Sequence, residues 1–309
     1  MRNLLFILLA IVAAVATFAA AKLIGNAYVF FAGYVVLQYI VLATAWNILG
    51  GYTGYVNFGT AAFFALGAYT TVVLHKTVPF LPLPAMMLVG GVISGVIGLG
   101  MGYLTLRLRG TFFSIATLAM AVVAQTLITN WNFVGGSRGA YIIRPASSPI
   151  FPGDYIQYLF VVMLLLSVIS VSAARAIQHS RLGYGFSAIR DDEAAAEASG
   201  VPTLRLKLIA TALSGGLMGM AGAPLPYYVT YLDPASGFSL SYAVNTIAMP
   251  LIGGTATWLG PVIGAILLGT LQQVATVTIS SALSLLLVGL LLVGFVIAAP
   301  KGIVGWFTR

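Results

Sequence analysis

The chain has 309 residues, of which 60% are hydrophobic and only 6% are charged. Soluble globular proteins carry roughly 25% charged residues, so this composition argues against a water-soluble enzyme and favours an all-α, polytopic membrane helical bundle. The net charge is +8, but the basic residues lie in short segments between apolar runs, which indicates membrane topology rather than nucleic-acid binding. The absence of cysteine excludes disulfides and thiolate metal sites.

Apolar runs of membrane length predict about ten spans in one transmembrane domain over residues 1–309. Runs of this length form helices because a lipid-embedded backbone must satisfy its own hydrogen bonds. The first run, from Leu4 to Ala21, is longer than a usual signal core, so we predict a retained helix, with a cleaved signal segment as the alternative. In chain order, the predicted spans lie near residues 4–21, 27–49, 57–75, 84–104, 111–131, 156–174, 205–224, 241–254, 261–280 and 283–299.

The basic residues predict the orientation of these spans. Ten spans put both termini on one side, and the excess of basic residues on that side predicts that it is cytoplasmic. The predicted inner residues are Arg2, Arg107, Arg109, Arg175, Arg181, Arg190, Arg205, Lys207, Lys301 and Arg309, and the outer ones are Lys22, Lys76, Arg138 and Arg144. No predicted span carries a central charge, which disfavours a proton relay or a voltage sensor.

Glycines four residues apart recur in the predicted spans and favour close packing of helices within the chain over a separate dimerisation site. The pairs are Gly91 with Gly95, Gly98 with Gly102, Gly215 with Gly219, and Gly260 with Gly264.

Two glycine-rich segments, residues 50–70 and 253–270, resemble a repeated element, one in each half of the chain. Each begins with paired glycines after an apolar run and then resumes as a small-residue helix. Such interrupted segments point to a transport path, although tight turns at the inner surface are an equal alternative and re-entrant half-helices stay open. The predicted path residues are Tyr52, Thr53, Gly54, Asn57, Gly59, Thr60, Gly253, Gly254 and Thr255.

Residues 175–207 form the longest predicted inner loop and hold four of the six acidic residues. Acidic residues 191–193 suit the first turn of a short alanine-rich helix, which Gly200 and Pro202 would end. We predict that this cytoplasmic loop docks a partner, with a solvated linker helix as the alternative. Phosphate-loop and hydrolase motifs are absent from the sequence, so an ATPase, if one powers the protein, must be another chain.

Several segments together resemble one family, the permease subunit of branched-chain amino acid ABC importers of the LivM/LivH type, and are closer to LivM. The resemblance covers roughly residues 40–305 and rests on residues 51–70, 111–121, 187–223 and 253–265, on Asp233-Pro234, and on the PKGIVG motif at 300–305.

This resemblance implies a non-enzymatic transport subunit for branched-chain or related apolar amino acids in the bacterial plasma (inner) membrane. The implied partners are a second permease subunit, two cytoplasmic ATPase subunits, a periplasmic substrate-binding protein and membrane lipid, but no nucleic acid. It implies no cofactor on this chain, with ATP and magnesium on the partner ATPases. The residues it implies for ATPase coupling are Arg190, Asp191, Asp192, Glu193, Glu197 and Gly200.

Three alternatives to this function stay open at the level of the sequence. Related permeases also move urea and short amides, so those solutes are alternative substrates. A stand-alone carrier or channel for small neutral solutes would also fit the polar amides within the predicted spans. The third alternative is a membrane scaffold without a solute path, whose assembly would require the loop of residues 175–207 but whose role would not depend on the predicted path residues.

Overall fold

The computed structural model of the protein describes residues 2–108, 110–148, 151, 153–278, 286, 289–295 and 302–307. Most of these residues are helical, and β1 (Ala140–Tyr141) pairs antiparallel with β2 (Tyr231–Leu232). The helices are α1 (Arg2–Ile24), α2 (Ala27–Thr53), α3 (Thr60–Thr77), α4 (Leu83–Thr105), α5 (Thr111–Thr129), α6 (Tyr155–Gln178), α7 (Arg181–Asp191), α8 (Glu193–Ala198), α9 (Thr203–Gly222), α10 (Leu225–Val229), α11 (Pro234–Gly237), α12 (Leu240–Gly253), α13 (Leu259–Thr278) and α14 (Val304–Phe307). Residues 289–295 are also helical.

Seven helical segments of the described residues are long and apolar enough to cross a membrane, which confirms a polytopic helical membrane bundle. They are Leu5–Ile24, Ala27–Thr53, Leu83–Thr105, Thr111–Thr129, Tyr155–Gln178, Thr203–Val229 and Leu259–Thr278. The predicted spans 57–75 and 241–254 correspond to α3 and to the 14-residue α12, and most of 283–299 lies outside the described residues. The predicted count of ten membrane spans is therefore approximate.

α3 shows why hydropathy alone misjudges a span. Its last turn carries His75 and Lys76, and its first two-thirds are buried against α4, α5 and α9. A helix surrounded by protein needs less apolar surface than one facing lipid, so moderate hydropathy is enough here.

The chain divides into two compact units, with a boundary inside α2. Unit 1 comprises residues 1–47, 147–180 and 245–309, and unit 2 comprises residues 48–146 and 181–244. The two glycine-rich segments therefore belong largely to different units, and each is described by itself.

In unit 2, α9 packs along both α4 and α3 through small residues. A β-carbon on Gly95 would lie 3.2 Å from the Ala212 carbonyl oxygen, and one on Gly98 would lie 3.3 Å from that of Thr211. A β-carbon on Gly67 would collide with the Gly219 backbone, which brings α3 and α9 equally close. The predicted packing of the α4 and α9 glycines within one chain is confirmed.

In unit 1, α12 and α13 meet through backbone contacts at glycine. A β-carbon on Gly253 would collide with the Gly260 carbonyl oxygen, and one on Gly264 would collide with that of Met249. The intramolecular role predicted for the Gly260–Gly264 pair is therefore confirmed as well.

Candidate functional site

The break after α2 is a six-residue turn, residues 54–59, rather than an unwinding at the paired glycines. Gly50 and Gly51 lie inside α2, which continues to Thr53. Side chains of α5 hold the turn, because Ser114 Oγ donates to the Val56 carbonyl at 2.8 Å and the Phe58 amide donates to Thr117 Oγ1 at 3.1 Å. The backbone polar groups of the turn are thus partly satisfied by protein.

Asn57 and Thr60 complete this turn. The Asn57 side chain is buried, and its Oδ1 accepts a hydrogen bond of 2.7 Å from the Gly59 amide, an Asx-type turn that leads into α3. Thr60 is the first residue of α3, and its hydroxyl is buried without a hydrogen-bond partner among the described residues. Asn57 therefore shapes the chain here, whereas the Thr60 hydroxyl has unused hydrogen-bonding capacity.

The loop of residues 175–207 contains two helices between α6 and α9, namely α7 and the alanine-rich α8, which are separated at Asp192. The Asp192 carboxylate accepts a hydrogen bond of 3.0 Å from the Ala195 amide and so caps the start of α8. Asp191 is the last residue of α7 rather than part of the first turn of α8, where only Glu193 of the three acidic residues lies. The predicted alanine-rich helix is therefore confirmed as α8, but the placement of Asp191 and Asp192 in its first turn was wrong, because aspartate favours a cap over the helix interior.

Gly200 ends α8 as predicted. Its φ of +82° is left-handed, and the amides of Gly200 and Val201 donate to the carbonyls of Glu197 and Ala196 at 2.9 and 3.0 Å. This is a Schellman motif, in which glycine avoids the steric cost of a left-handed backbone.

Glu193 points towards the membrane helices and forms what we call the ionic cluster with Tyr55 and Lys207. The Lys207 ammonium lies 2.7 Å from Glu193 Oε1 and also donates to the Tyr55 hydroxyl at 3.1 Å. The Tyr55 hydroxyl in turn donates to Glu193 Oε2 at 2.5 Å. These bonds join the 54–59 turn, α8 and α9 at one point.

The ionic cluster is buried, and its polar groups are well used. The side chain of Lys207 is 4% exposed and that of Glu193 is 13% exposed. The ammonium makes a third hydrogen bond, to the Leu106 carbonyl at 3.2 Å, and lies 4.7 Å from the centre of the Tyr55 ring. Because an ammonium has three donors, this set satisfies all of them and offsets the desolvation of the ion pair.

The opposite side of the same loop is exposed and acidic. Arg190 donates to Asp191 Oδ1 at 3.1 Å, but the Asp191 side chain is 70% exposed. Asp192 is also exposed, while Glu197 accepts a hydrogen bond of 2.5 Å from the Thr203 hydroxyl at the start of α9. The loop therefore has one face fixed to the helices and one face open to a partner.

A cleft of about 440 Å³ lies where the turn meets the loop, within unit 2. It brings together two predicted path residues, Thr53 and Gly54, and two predicted coupling residues, Arg190 and Glu193. A β-carbon on Gly54 would lie 3.2 Å from Arg190 Cγ, so the turn and α7 are in direct contact. The remaining lining residues are Tyr55, Val56, Gly110, Thr111, Ser114 and Ile189.

The second glycine-rich segment forms a backbone-packed turn in unit 1. Gly253 ends α12 and is buried with Gly254, whereas Thr255 is half-buried. Gly302, from the C-terminal motif, packs so closely on Gly254 that a β-carbon there would collide with it, and the Ile303 amide donates to the Ile252 carbonyl at 2.9 Å. The C-terminal motif thus stabilises this break.

Buried amides of unit 1 form a polar region that includes residues outside the predicted path. Asn245 Nδ2 on α12 donates to the Tyr39 hydroxyl on α2 at 3.2 Å. Gln38 and Asn47 are at least 97% buried, and amide atoms of both have no hydrogen-bond partner among the described residues. Within the described part of the chain, no group of three histidine or carboxylate side chains could hold a metal ion.

The structure brings Thr53, Gly54, Arg190 and Glu193 to one cleft, and it places Gly253, Gly254 and Thr255 in the other unit. Tyr52 is buried near the end of α2. Sequence reasoning missed Tyr55 and the pairing of Lys207. A lysine near the start of an apolar span, in a chain so poor in charge, was the available signal.

Comparison with known proteins agrees with this architecture. The family model described as "Branched-chain amino acid transport system / permease component" matches residues 28–296. The high-affinity branched-chain amino acid transport system permease protein LivM of Salmonella typhimurium is 27% identical in an alignment of 289 positions that covers 86% of this chain and 67% of that protein. A probable branched-chain amino acid transport permease protein LivH of Methanocaldococcus jannaschii is 25% identical, over 82% of this chain and 84% of its own.

A third relative has a different named solute. The ribose import permease protein RbsC of Haemophilus influenzae is 25% identical over 63% of this chain and 60% of its own. No solved structure matches the chain. Because the family model covers most of its length, the chain belongs to the family of branched-chain amino acid transport system permease components.

Proposed function

We propose that the chain is the membrane-spanning permease subunit of an ATP-driven importer for branched-chain or related apolar amino acids. The observation that carries the proposal is the two-sided loop of α7 and α8. Its outer face exposes Asp191 and Asp192, while Glu193 on its inner face is bound to Lys207 and Tyr55. A partner that moves such a loop would pull on the membrane helices.

The proposal requires partners that supply energy and substrate. These are a second permease subunit, two cytoplasmic ATPase subunits that bind ATP and magnesium, and a periplasmic substrate-binding protein. The chain would lie in the bacterial inner membrane, in contact with lipid and with both termini in the cytoplasm, as the distribution of basic residues favours. Purification of the tagged chain from its native membrane should recover a nucleotide-binding protein in stoichiometric amount, and its consistent absence would contradict the proposal.

The proposed solute path runs by the two glycine-rich breaks. In unit 2 the cleft beside Thr53 and Gly54 supports this placement, because it is open space next to the proposed coupling loop. In unit 1 the support is the break at residues 253–255 itself. Replacing Thr53 with valine, which keeps the side-chain shape, should reduce uptake without changing the amount of folded protein in the membrane. Unchanged uptake would remove Thr53 from the path.

The substrate class is the least constrained part of the proposal. Both relatives named for branched-chain amino acids favour that class, while the ribose permease shows that similar chains are assigned other solutes. Urea and short amides are the alternative. Competition of radiolabelled leucine uptake by isoleucine, valine, urea, acetamide and ribose separates these classes, and inhibition by urea or acetamide alone would favour the alternative.

A second candidate function is a stand-alone carrier or channel for small neutral solutes. The buried amides of Gln38 and Asn47 favour it, because unused hydrogen-bonding groups inside a span can serve a polar solute. Liposomes that contain the purified chain alone distinguish this function, since a channel would equilibrate urea across them and an importer subunit without its ATPases would not.

A further inference from the structure

The ionic cluster of Tyr55, Glu193 and Lys207 lies where three segments of unit 2 meet. Tyr55 belongs to the 54–59 turn, Glu193 begins α8, and Lys207 lies in the second turn of α9. The chain has only six acidic residues, and one of them is removed from water beside a lysine, at a desolvation cost that the hydrogen bonds of the cluster offset.

The bonding pattern makes the three segments move together. Each pair within the cluster is joined directly, and Tyr55 both donates to Glu193 and accepts from Lys207. Pulling α8 away from α9 would leave the buried ammonium without its carboxylate, facing the Leu106 carbonyl and the uncharged hydroxyl and ring of Tyr55. Because an uncompensated buried charge is strongly unfavourable, the displacement of any one segment is shared by the other two.

Two contacts beside the cluster reinforce the same connection. The Thr203 hydroxyl donates to Glu197, which ties the end of α8 to the start of α9. The Tyr55 ring packs edge-on against Phe113 of α5, with the ring centres 5.0 Å apart. The 54–59 turn is therefore held between α5 and α8, and a shift of α8 reaches the base of α5 as well.

α9 is suited to carry such a shift into the membrane. It packs along α4 and α3 through close backbone contacts, so its residues have little room to absorb a displacement locally. A rotation or translation at Lys207 would then be passed along the helix as a rigid body.

We propose that Tyr55, Glu193 and Lys207 are positioning residues that form the mechanical joint between the cytoplasmic loop and the membrane helices. The joint transmits movement of α8 both to α9 and to the 54–59 turn that borders the cleft. This inference rests on the proposed function, since it needs an ATPase to move α8. The joint differs from the exposed acidic side chains of the loop, because Tyr55 and Lys207 are buried.

The test uses proteoliposomes that contain the chain together with its co-purified ATPase partners and binding protein. Uptake of solute and hydrolysis of ATP are measured in parallel for the wild type and Tyr55→Phe. The Tyr55→Phe variant keeps the ring on Phe113 but loses the hydroxyl that links Glu193 with Lys207. We expect unchanged hydrolysis and about a tenfold loss of solute imported per ATP, the effect of one hydrogen bond to a charged group.

Matched variants separate a joint from a merely structural contact. Tyr103→Phe removes an exposed hydroxyl that accepts a hydrogen bond from exposed Arg107, so its uptake per ATP should equal that of the wild type. Lys207→Met should lose coupling as Tyr55→Phe does, and Lys207→Arg should restore most of it, because arginine keeps the charge and the donors. If Tyr55→Phe imported as much solute per ATP as the wild type, the proposed joint would be refuted while the importer proposal would stay intact.

A second measurement needs no ATPase. Amide hydrogen exchange of the purified chain should rise in both residues 54–59 and residues 193–198 when Tyr55 is replaced by phenylalanine. If hydrogen exchange rose in only one of these two segments, the proposed joint would be refuted. If instead the exchange pattern holds but the wild type shows no ATP-dependent uptake, the importer proposal fails, and the joint fails with it as a coupling device.

Discussion

At the scale of single residues, the buried pair of Lys207 and Glu193 is the main electrostatic feature of the described chain. Both charges are removed from water, and their attraction offsets that cost only because Tyr55 and the Leu106 carbonyl complete the hydrogen bonds. Removing one charge alone should therefore lower the free energy of unfolding much more than removing both charges.

We expect Lys207→Met to lower the free energy of unfolding by about 3–5 kcal/mol, because it leaves the Glu193 carboxylate buried without its cation. The double variant Lys207→Met with Glu193→Leu should recover most of that loss. Denaturation of the purified protein in detergent measures both. The control is Lys22→Met, at an exposed position near the end of α1, which should be nearly neutral. Equal losses in the single and double variants would contradict this account.

Asp233 provides a pH-dependent prediction outside the membrane spans. Partial burial alone would raise its pKa, but hydrogen bonds from the Ser236 amide at 3.0 Å and the Ser236 hydroxyl at 2.7 Å lower the pKa below its ordinary value of 3.8. A lowered pKa in the folded state means that the ionised group stabilises the fold above its ordinary pKa. This contribution is lost as the pH falls through the folded-state value.

The stability difference between the wild type and Asp233→Ala should accordingly be constant near neutral pH and shrink below pH 3.8. Thermal unfolding in detergent across that range measures it. Asp233→Asn serves as the control, because asparagine can cap α11 but does not titrate. If the stability difference between the wild type and Asp233→Ala stayed constant into strong acid, the charge of Asp233 would not contribute to the stability of the fold.

Residue-level sequence reasoning singled out Glu193 but did not predict its buried contacts with Tyr55 and Lys207. Acidic residues in a charged loop read as exposed, and three of the four in this loop lie at the surface. The partners of Glu193 come from Tyr55 and Lys207, which are 152 positions apart in the chain. No local pattern encodes such a contact, so only the folded arrangement of the 54–59 turn, α8 and α9 reveals it.

At the scale of helices, small residues determine how closely the elements approach. α3 and α9 touch at Gly67 and Gly219 with no space for a side chain. Of the buried hydroxyls on these helices, those of Thr70 and Thr211 donate to carbonyls four residues earlier in their own helix. Those of Thr60, Thr71 and Ser214 have no hydrogen-bond partner among the described residues.

Gly67→Ala should lower the free energy of unfolding by about 1–3 kcal/mol, because the added β-carbon forces α3 and α9 apart. Gly100→Ala is the matched control, since a β-carbon at that position of α4 would meet nothing within 4 Å. It should be neutral or slightly stabilising, because alanine favours helix more than glycine does. The unfolding midpoints of the two variants should differ clearly, and equal midpoints would argue against close packing of α3 on α9.

The sequence predicted most long helices well, because apolar runs of membrane length have few alternatives to helix. The second predicted span ended at residue 49, because the paired glycines Gly50 and Gly51 indicate a helix break, yet α2 continues to Thr53. Gly50 and Gly51 are buried, and packing around them outweighs their low helix propensity. The short helices α10, α11 and α14 were missed because helices of four or five residues have no hydrophobic period.

At the scale of the whole molecule, the charge distribution predicts which loops lie on which side of the membrane. The chain has no cysteine, so single-cysteine variants report the sidedness directly. Tyr141 and Tyr184 are 78% and 73% exposed, one in β1 and one in α7. The predicted topology would put Tyr141 outside and Tyr184 in the cytoplasm.

In intact cells, a membrane-impermeant maleimide should label Tyr141→Cys and leave Tyr184→Cys unlabelled until the membrane is permeabilised. The unsubstituted chain serves as the blank. Labelling of Tyr184→Cys in intact cells would reverse the orientation, and would place the loop of α7 and α8 where no cytoplasmic ATPase could reach it.

The central claim is that this chain supplies a membrane path whose movement is driven through the loop of α7 and α8 by an ATPase partner. The most direct test measures accumulation of radiolabelled leucine in proteoliposomes against a concentration gradient. The account predicts accumulation only when the co-purified ATPases, the binding protein and ATP are all present. Accumulation by the purified chain alone, without any nucleotide-hydrolysing partner, would contradict it.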